Sequence, residues 1–381
     1  MLTKRHALVA GGAAVLLAAG TATIITVTSQ GSSGGARTAH LASSTCTGPA
    51  GAAYVALAGY QSFDAIDTSN CSYIQNYNVG DPQVPGDSGD YNYASSPQGI
   101  AIHGNTLYFA HTGNDMVSIV DAATLNPKNF NPAETDIHVG INPDDLAVSP
   151  DGTQLWVADT GPQTGPGAPT NIEVISTATD KVTATLPLPS GPDQVTFSPS
   201  GAAAYVTTAA GLWIFNTATD HVAGVVSGLG DPHGIAVSPD GSTVYVTNTA
   251  DNVVDVISAA THQVTGTIPV GQLPWGLALT AKGGTLYVAD PDSNQVSVIS
   301  TKTDTVTNTI SLAGGPDVLA LTPDGSQLWV CGLNSGILTV LSTSNDSVVG
   351  NVNLGGGGAN SGDGLDATGI VMTTTPTPGG S

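Results

Sequence analysis

The chain has 381 residues, with 7 Lys+Arg against 29 Asp+Glu and a formal net charge of −22 at pH 7. Three of the basic residues, Lys4, Arg5 and Arg37, lie near the start; beyond them the chain keeps only Lys128, Lys181, Lys282 and Lys302, and no Arg. That argues against nucleic acid, whose binding releases counterions from phosphates neutralised by Lys and Arg, and against phosphorylated substrates, which Arg forks hold.

Taken in order, the chain begins as a targeting segment. Lys4 and Arg5 precede an apolar run from Ala7 to Val27, so residues 1–28 read as a secretory signal or a membrane-spanning anchor. Residues 29–51 are rich in Gly, Ser and Thr, the composition of a flexible linker. These features predict an exported protein, extracellular or attached to the cell surface, with membrane contact only through its first segment. Of the three Cys, Cys46 and Cys71 form a candidate disulfide in an oxidising compartment, and Cys331 reads as a small core residue. C-x-x-C-H, C-x-x-C and H-E-x-x-H are absent, and with them covalent haem and the usual zinc signatures.

From residue 52 the chain becomes a series of short runs with period-2 alternation, each bounded by turn residues. AAYVAL (52–57), FDAIDTSN (63–70) and YIQNYNVG (73–80) come first, followed by an insertion at 81–96. A fuller unit then repeats, opening at Pro97, Pro143, Pro192, Pro232, Pro274 and Pro316, 40 to 49 residues apart. The fourth opening shows its parts: GIAVS, a Pro239-Asp240-Gly241 turn, TVYVTN, VVDVIS and QVTGTIPV, four strands that make one small antiparallel sheet. Further insertions fall at 125–136, 160–170 and 355–364. The last run, DATGIVMT (366–373), matches a first strand and stops.

The period and strand count predict an all-β fold, a β-propeller with four antiparallel strands per blade. The three opening runs lack a first strand and the closing run supplies one. A C-terminal strand joining the N-terminal blade makes seven blades and removes exposed sheet edges. The alternative is a decayed repeat in an open stack. The expected propeller spans 52–374, residues 375–381 forming a disordered tail, and the chain is expected to be a monomer.

These motifs, P-x-G-[IL]-A-[VL]-[ST]-P-[DS]-G followed by [LV]-Y-V-[TA]-[ND], with VYVTN at 244–248, resemble the YVTN family of propeller repeats. The resemblance covers about 52 to 373. It implies a seven-bladed, extracellular or surface-attached protein, as in archaeal surface-layer proteins, and wider relatives include lactonases and a streptogramin lyase. The repeated residues belong to turns and core, so they specify fold far more than function.

First strands are innermost in a propeller, so the residues after each opening Pro are expected to ring one mouth of the channel. These are Gln98, Asp144, Asp193, His233, Trp275 and Asp317, with Thr368 in the closing strand. The ends of the second strands give a second ring on the same face: His111, Asp159, Thr208, Asn248, Asp290, Gly332 and Leu57. Three readings compete. The Asp and Asn residues could simply cap loops. Asp144, Asp193 and Asp317 could hold Ca²⁺ or Mg²⁺, which take clusters of oxygen ligands. His233 or His111 could act as a general base with Asp partners. The first function predicted is binding of a protein, glycan or small molecule at the mouth, with Ca²⁺ or Mg²⁺ the one cofactor class the residues suggest; the alternative is a metal-assisted lyase or lactonase acting on a non-phosphorylated substrate.

Overall fold

The computed structural model describes residues 48–57, 62–78, 96–112, 115–124, 126–127, 137–161, 170–332, 336–354 and 367–374. The expectations for residues 1–28, nearly all of 29–51, Cys46, the bulk of each insertion and the tail at 375–381 lie outside the described residues.

The structure is a seven-bladed β-propeller. Blade 1 carries the closure: its sheet order is Ala367–Thr373, Ala52–Leu57, Ser62–Asp67, Ser72–Asn78. The C-terminal strand pairs antiparallel with the first N-terminal one, Ala53 opposite Met372 and Val55 opposite Ile370. It also packs between the first strands of blade 7 (Pro316–Leu321) and blade 2 (Ser96–His103), so the inner ring is continuous. Blades 3 to 6 open at Pro143–Val148, Pro192–Phe197, Pro232–Val237 and Leu277–Leu279. In blade 2 the outer strand is split into Asn126–Pro127 and Ile137–His138, which both pair with Met116–Asp121. The intervening sequence includes Pro132, and Pro127 ends the first piece; Pro has no N–H for a ladder.

The core is distributed between blades, because each small sheet has two apolar faces and each must be covered by a neighbour. Blade 3 places Trp156, Ala158, Ile172 and Val174 against Val195, Phe197, Val206 and Phe215 of blade 4. Trp156 stands edge-on to Phe197 and Phe215, both at 5.6 Å. On its other face blade 3 meets blade 2 through Leu146, Leu155, Val157 and Ile175. Each fully buried Val, Leu, Ile or Phe contributes roughly 1.5–3 kcal/mol. Stability therefore depends on every blade having both neighbours, which the closing strand secures.

The end of each blade away from the opening Pro is built from repeated turns. In three blades an Asp accepts hydrogen bonds across the turn between first and second strands: Asp151 from Ser149 Oγ at 2.6 Å, Asp240 from Ser238 Oγ at 2.5 Å, and Asp324 from Thr322 Oγ1 at 2.7 Å. Those bonds hold the exposed Asp240 carboxyl down at about 2. Between third and fourth strands the chain passes through positive φ at Asp180, Asp220, His262, Asp304 and Asp346. Cys71 takes the same place in blade 1 at φ 55°, is buried, and is disulfide-bonded. Cys331 is buried and free.

Candidate functional site

Placing the opening Pro inside the first strand changes where the mouth residues sit. Five of the six first strands described from their opening residues include the Pro itself, and each ladder skips the residue after it. In blade 3, Pro143 faces Asp159 and Asp145 faces Ala158, leaving Asp144 unopposed. In blade 7, Pro316 faces Gly332 and Val318 faces Cys331, which leaves out Asp317. The closing strand does the same at Thr368. In blades 2 to 5 and 7 and in the closing strand the mouth residue is therefore a bulge residue rather than one ahead of the strand, and a bulge re-aims its side chain out of the pleat; in blade 6 Trp275 precedes the strand Leu277–Leu279.

Four of these side chains meet across consecutive blades. Asp193 of blade 4 accepts a hydrogen bond from His233 Nδ1 of blade 5 at 2.6 Å. The His233 ring stacks on Trp275 of blade 6, with centroids 3.7 Å apart and planes at 25°. Its Nε2 lies 3.5 Å from Asp231 Oδ2, at the more exposed side of the mouth. Burial works to lower the His233 pKa; the bond to Asp193, with Asp231 behind it, outweighs burial and holds the imidazole above its ordinary value. Asp144 of blade 3 completes the arc. Burial, then the charge of Asp193, pushes its carboxyl up to about 6, with His233 pulling the other way.

The backbone beneath the arc is held by neighbours in the same strands. Val195 N–H donates to Asp145 Oδ2 at 2.9 Å, and Ile235 N–H donates to Gln194 Oε1 at 2.6 Å, each linking one blade to the next. Burial pushes Asp145 up to about 7 although it accepts that bond. Thr207 Oγ1 donates to the His233 carbonyl and Thr247 Oγ1 to that of Trp275, both at 2.8 Å. At Gly234 a Cβ would lie 2.3 Å from the Trp275 carbonyl oxygen, so only glycine fits there.

The remaining first-ring residues do not join the arc. Asp317 is 8% exposed, and after burial its charge is the next cause raising the buried Cys331 thiol. Gln98 is half-buried, and Thr368 Oγ1 donates to the Pro97 carbonyl at 3.0 Å. Among the described residues no group of three or more His, Cys, Asp or Glu is arranged to hold a metal ion.

The second-ring residues lie inside the blades. Asp159 and Asp290 are wholly buried, Asn248 is 3% exposed and His111 1%. Asn171 Nδ2 donates to Asp159 Oδ2 at 2.7 Å, Ser297 Oγ to Asp290 Oδ2 at 2.6 Å, and Asn248 Nδ2 to Asp255 Oδ2 at 3.0 Å. Gly140 and Gly271, in the loops entering blades 3 and 6, bring backbone N–H groups to Asp159 and Asp290. Burial and then the charge of Glu173 push Asp159 up to about 8; its Oδ1 and Glu173 Oε2 are both buried without a hydrogen-bond partner. The third-strand partners Glu173, Asp255 and Ser297, like Asp231 at the mouth, are not named by the ring rule, whereas Asp145 is the register alternative to Asp144. Their signal is a polar residue in mid-strand among apolar ones, as in NIEVI, VVDVI and QVSVI.

Solved structures of similar fold include a hydrazine synthase of Kuenenia stuttgartiensis, 20% identical, TM-score 0.61, covering 74% of this chain and 90% of that one. A functionally unknown protein of Desulfotomaculum acetoxidans DSM 771 is 16% identical with TM-score 0.66, covering 85% and 99%. At such identities the likeness shows fold alone. No curated protein matches the sequence. The choice-of-anchor I domain model matches residues 51–295, across blades 1 to 6, and the chain belongs to that family.

Proposed function

We propose that the protein is a cell-surface binding module whose ligand enters the channel mouth at Asp144, Asp193, His233 and Trp275. The supporting observation is the arc itself: two carboxylates, an imidazole and an indole, one side chain from each of four consecutive blades, gather at the residue after the opening Pro. The choice-of-anchor family assignment supports surface attachment, and the YVTN-type repeat motifs agree with it. Cys46 is the proposed partner of Cys71, fastening the N-terminal segment to blade 1. A thermal-shift screen of wild type against the mouth variant Asp144→Asn/Asp193→Asn/His233→Gln/Trp275→Leu tests the site. Compounds that stabilise only wild type support it; a screen in which every stabiliser acts on both proteins overturns it. Labelling of intact cells with an impermeant reagent tests the location.

A second reading keeps one observation. The 2.6 Å Asp193–His233 bond is the geometry of a base oriented by a carboxylate, as a lyase or lactonase would use. Turnover of a non-phosphorylated lactone that is lost in His233→Gln would favour it.

A further inference from the structure

We infer that the mouth faces away from the surface to which the chain is attached, so that its partner arrives from the medium and is not part of the envelope that carries the protein; this rests on the surface-attachment reading above. The inference follows from strand directions. Each first strand runs from the mouth end, on the side of its opening Pro, to the opposite end, where the chain turns back. The closing strand keeps that direction. Thr368, near its start, donates to the Pro97 carbonyl at 3.0 Å, so Ala367 lies at the mouth end and Thr373 at the far end. The strand beside it runs the other way, with Leu57 opposite Ala367 and Ala52 opposite Thr373. The chain therefore enters the ring at Ala52 and leaves it at Thr373 side by side, at the end of blade 1 remote from the mouth.

Both positions are fixed. A Cβ on Gly51 would collide with the Thr373 carbonyl oxygen, so entry and exit pass in contact. Thr68 N–H donates to the Gly51 carbonyl at 3.1 Å, Thr68 Oγ1 to that of Pro49 at 2.6 Å, and Gly48 N–H to that of Ser69 at 3.1 Å. Thr68 and Ser69 belong to the turn between the third and fourth strands of blade 1, which lies at the far end. A Cβ on Gly48 would lie 2.6 Å from Oε1 of Gln327, the residue that begins the second strand of blade 7. Thr68 is 2% exposed and Gln327 4%, so the entering segment is packed where blades 1 and 7 meet. Cys71, at the close of the same turn, is buried and disulfide-bonded.

The orientation does not depend on which end carries the attachment. A segment before residue 48 and a segment after residue 374 both join the propeller at this corner, so either draws the same end toward the surface. A six-residue strand such as Ala52–Leu57 spans about 20 Å, and the mouth stands at least that far from the corner. The arc of Asp144, Asp193, His233 and Trp275 is then the end presented to the medium.

The test uses cells that produce the full chain with one added thiol at either end of blade 7. Ala313→Cys is at the mouth end, in the loop entering the blade, and Ser344→Cys is at the far end, in the turn between third and fourth strands; both residues are exposed. Fractionation first shows whether the protein stays with the cells. Each variant is then treated with a bulky PEG-maleimide and a small impermeant maleimide, on intact cells and after release by lysis, with the unsubstituted chain as blank. The expected result is that Ala313→Cys takes up the bulky reagent equally fast in both states, whereas Ser344→Cys takes it up several-fold more slowly on cells than after release. The small reagent shows that each thiol is reactive. Melting curves establish that both variants are folded. Should either fail, Gln272→Cys, exposed in the loop entering blade 6, and Ala260→Cys, exposed in the matching turn of blade 5, take their places. Slower uptake at the mouth position, or the same rate at both positions on cells, overturns the inference and leaves surface attachment standing. Recovery of the protein only from the medium overturns the attachment reading itself, and the inference with it.

Discussion

The two rings differ although the same residue types fill them. At the end of the second strand, Asp159, Asn248 and Asp290 are opposed by partners on the ladder, so their side chains point between sheets and must find donors there. One residue beyond the opening Pro, Asp144, Asp193 and His233 are skipped by the ladder, and their side chains turn to the channel instead. Position in the pleat separates carboxyls held in the ladder, which face the neighbouring sheet, from those released at a bulge, of which Asp144 and Asp193 reach the mouth and Asp317 stays buried.

The largest effect that sharpens this contrast is expected where the inner fastening is tightest. In Gly271→Ala a Cβ would fall 2.6 Å from both Cβ and Cγ of Asp290. Neither atom is the free end of a flexible chain, so the loop must move, at about 3 kcal/mol. Asp193→Asn at the mouth should change stability by less than about 1 kcal/mol at pH 8, because its hydrogen-bond partner, His233, carries less charge as pH rises. Urea unfolding of the two variants checks both. Comparable losses would erase the distinction between the rings.

Legibility in the sequence divides along the same line. The repeat, the blade number and the closing strand follow from a period that turns and core residues preserve, as the pairing of Ala367–Thr373 with Ala52–Leu57 shows. The residue after each opening Pro is also readable as a class, since it varies among repeating neighbours. What the sequence does not carry is bulge geometry and cross-blade distance. Nothing local tells that His233 reaches Asp193 and Trp275 while Asp317, at the same register position, turns toward Cys331. Those contacts depend on the angle between blades, which the sum of all seven interfaces sets.

A smaller effect, with a sign of its own, comes from the buried acids. Asp159 at about 8 and Asp145 at about 7 both lie above the ordinary carboxylate value, so the folded state binds their protons more tightly than the unfolded chain. Stability from these groups is fully present below the unfolded value near 4 and is lost as pH rises through the folded values. Melting temperature should therefore rise on going from pH 8 to pH 5, by roughly 5 °C. The three turn acids Asp151, Asp240 and Asp324 are shifted the other way, and their contribution is lost only at still lower pH. Asp159→Asn should raise the pH 8 melting temperature and flatten this profile. Asn248 occupies the matching place in blade 5 and donates to Asp255, so an Asn at 159 can donate to Glu173. A steeper profile in Asp159→Asn would show that the charge is not the burden.

The smallest effect is confined to one ring, and it is the most specific to the mouth. Burial alone would leave His233 below the ordinary imidazole value; Asp193 reverses that. Removing the charge in Asp193→Asn should lower the His233 pKa, read from its ring protons by NMR. The linkage then has a defined window. A raised imidazole stabilises the fold below the unfolded value near 6.5 and stops doing so as pH rises through the folded one. Asp193→Asn should lose stability at pH 5.5, where His233 is charged, and lose less as pH rises through the folded value. Equal losses at pH 5.5 and pH 8 would mean that Asp193 serves the packing of blades 4 and 5, as Asp290 serves blade 6. The two rings would then be one kind of fastening, and the mouth would have no free chemistry to offer.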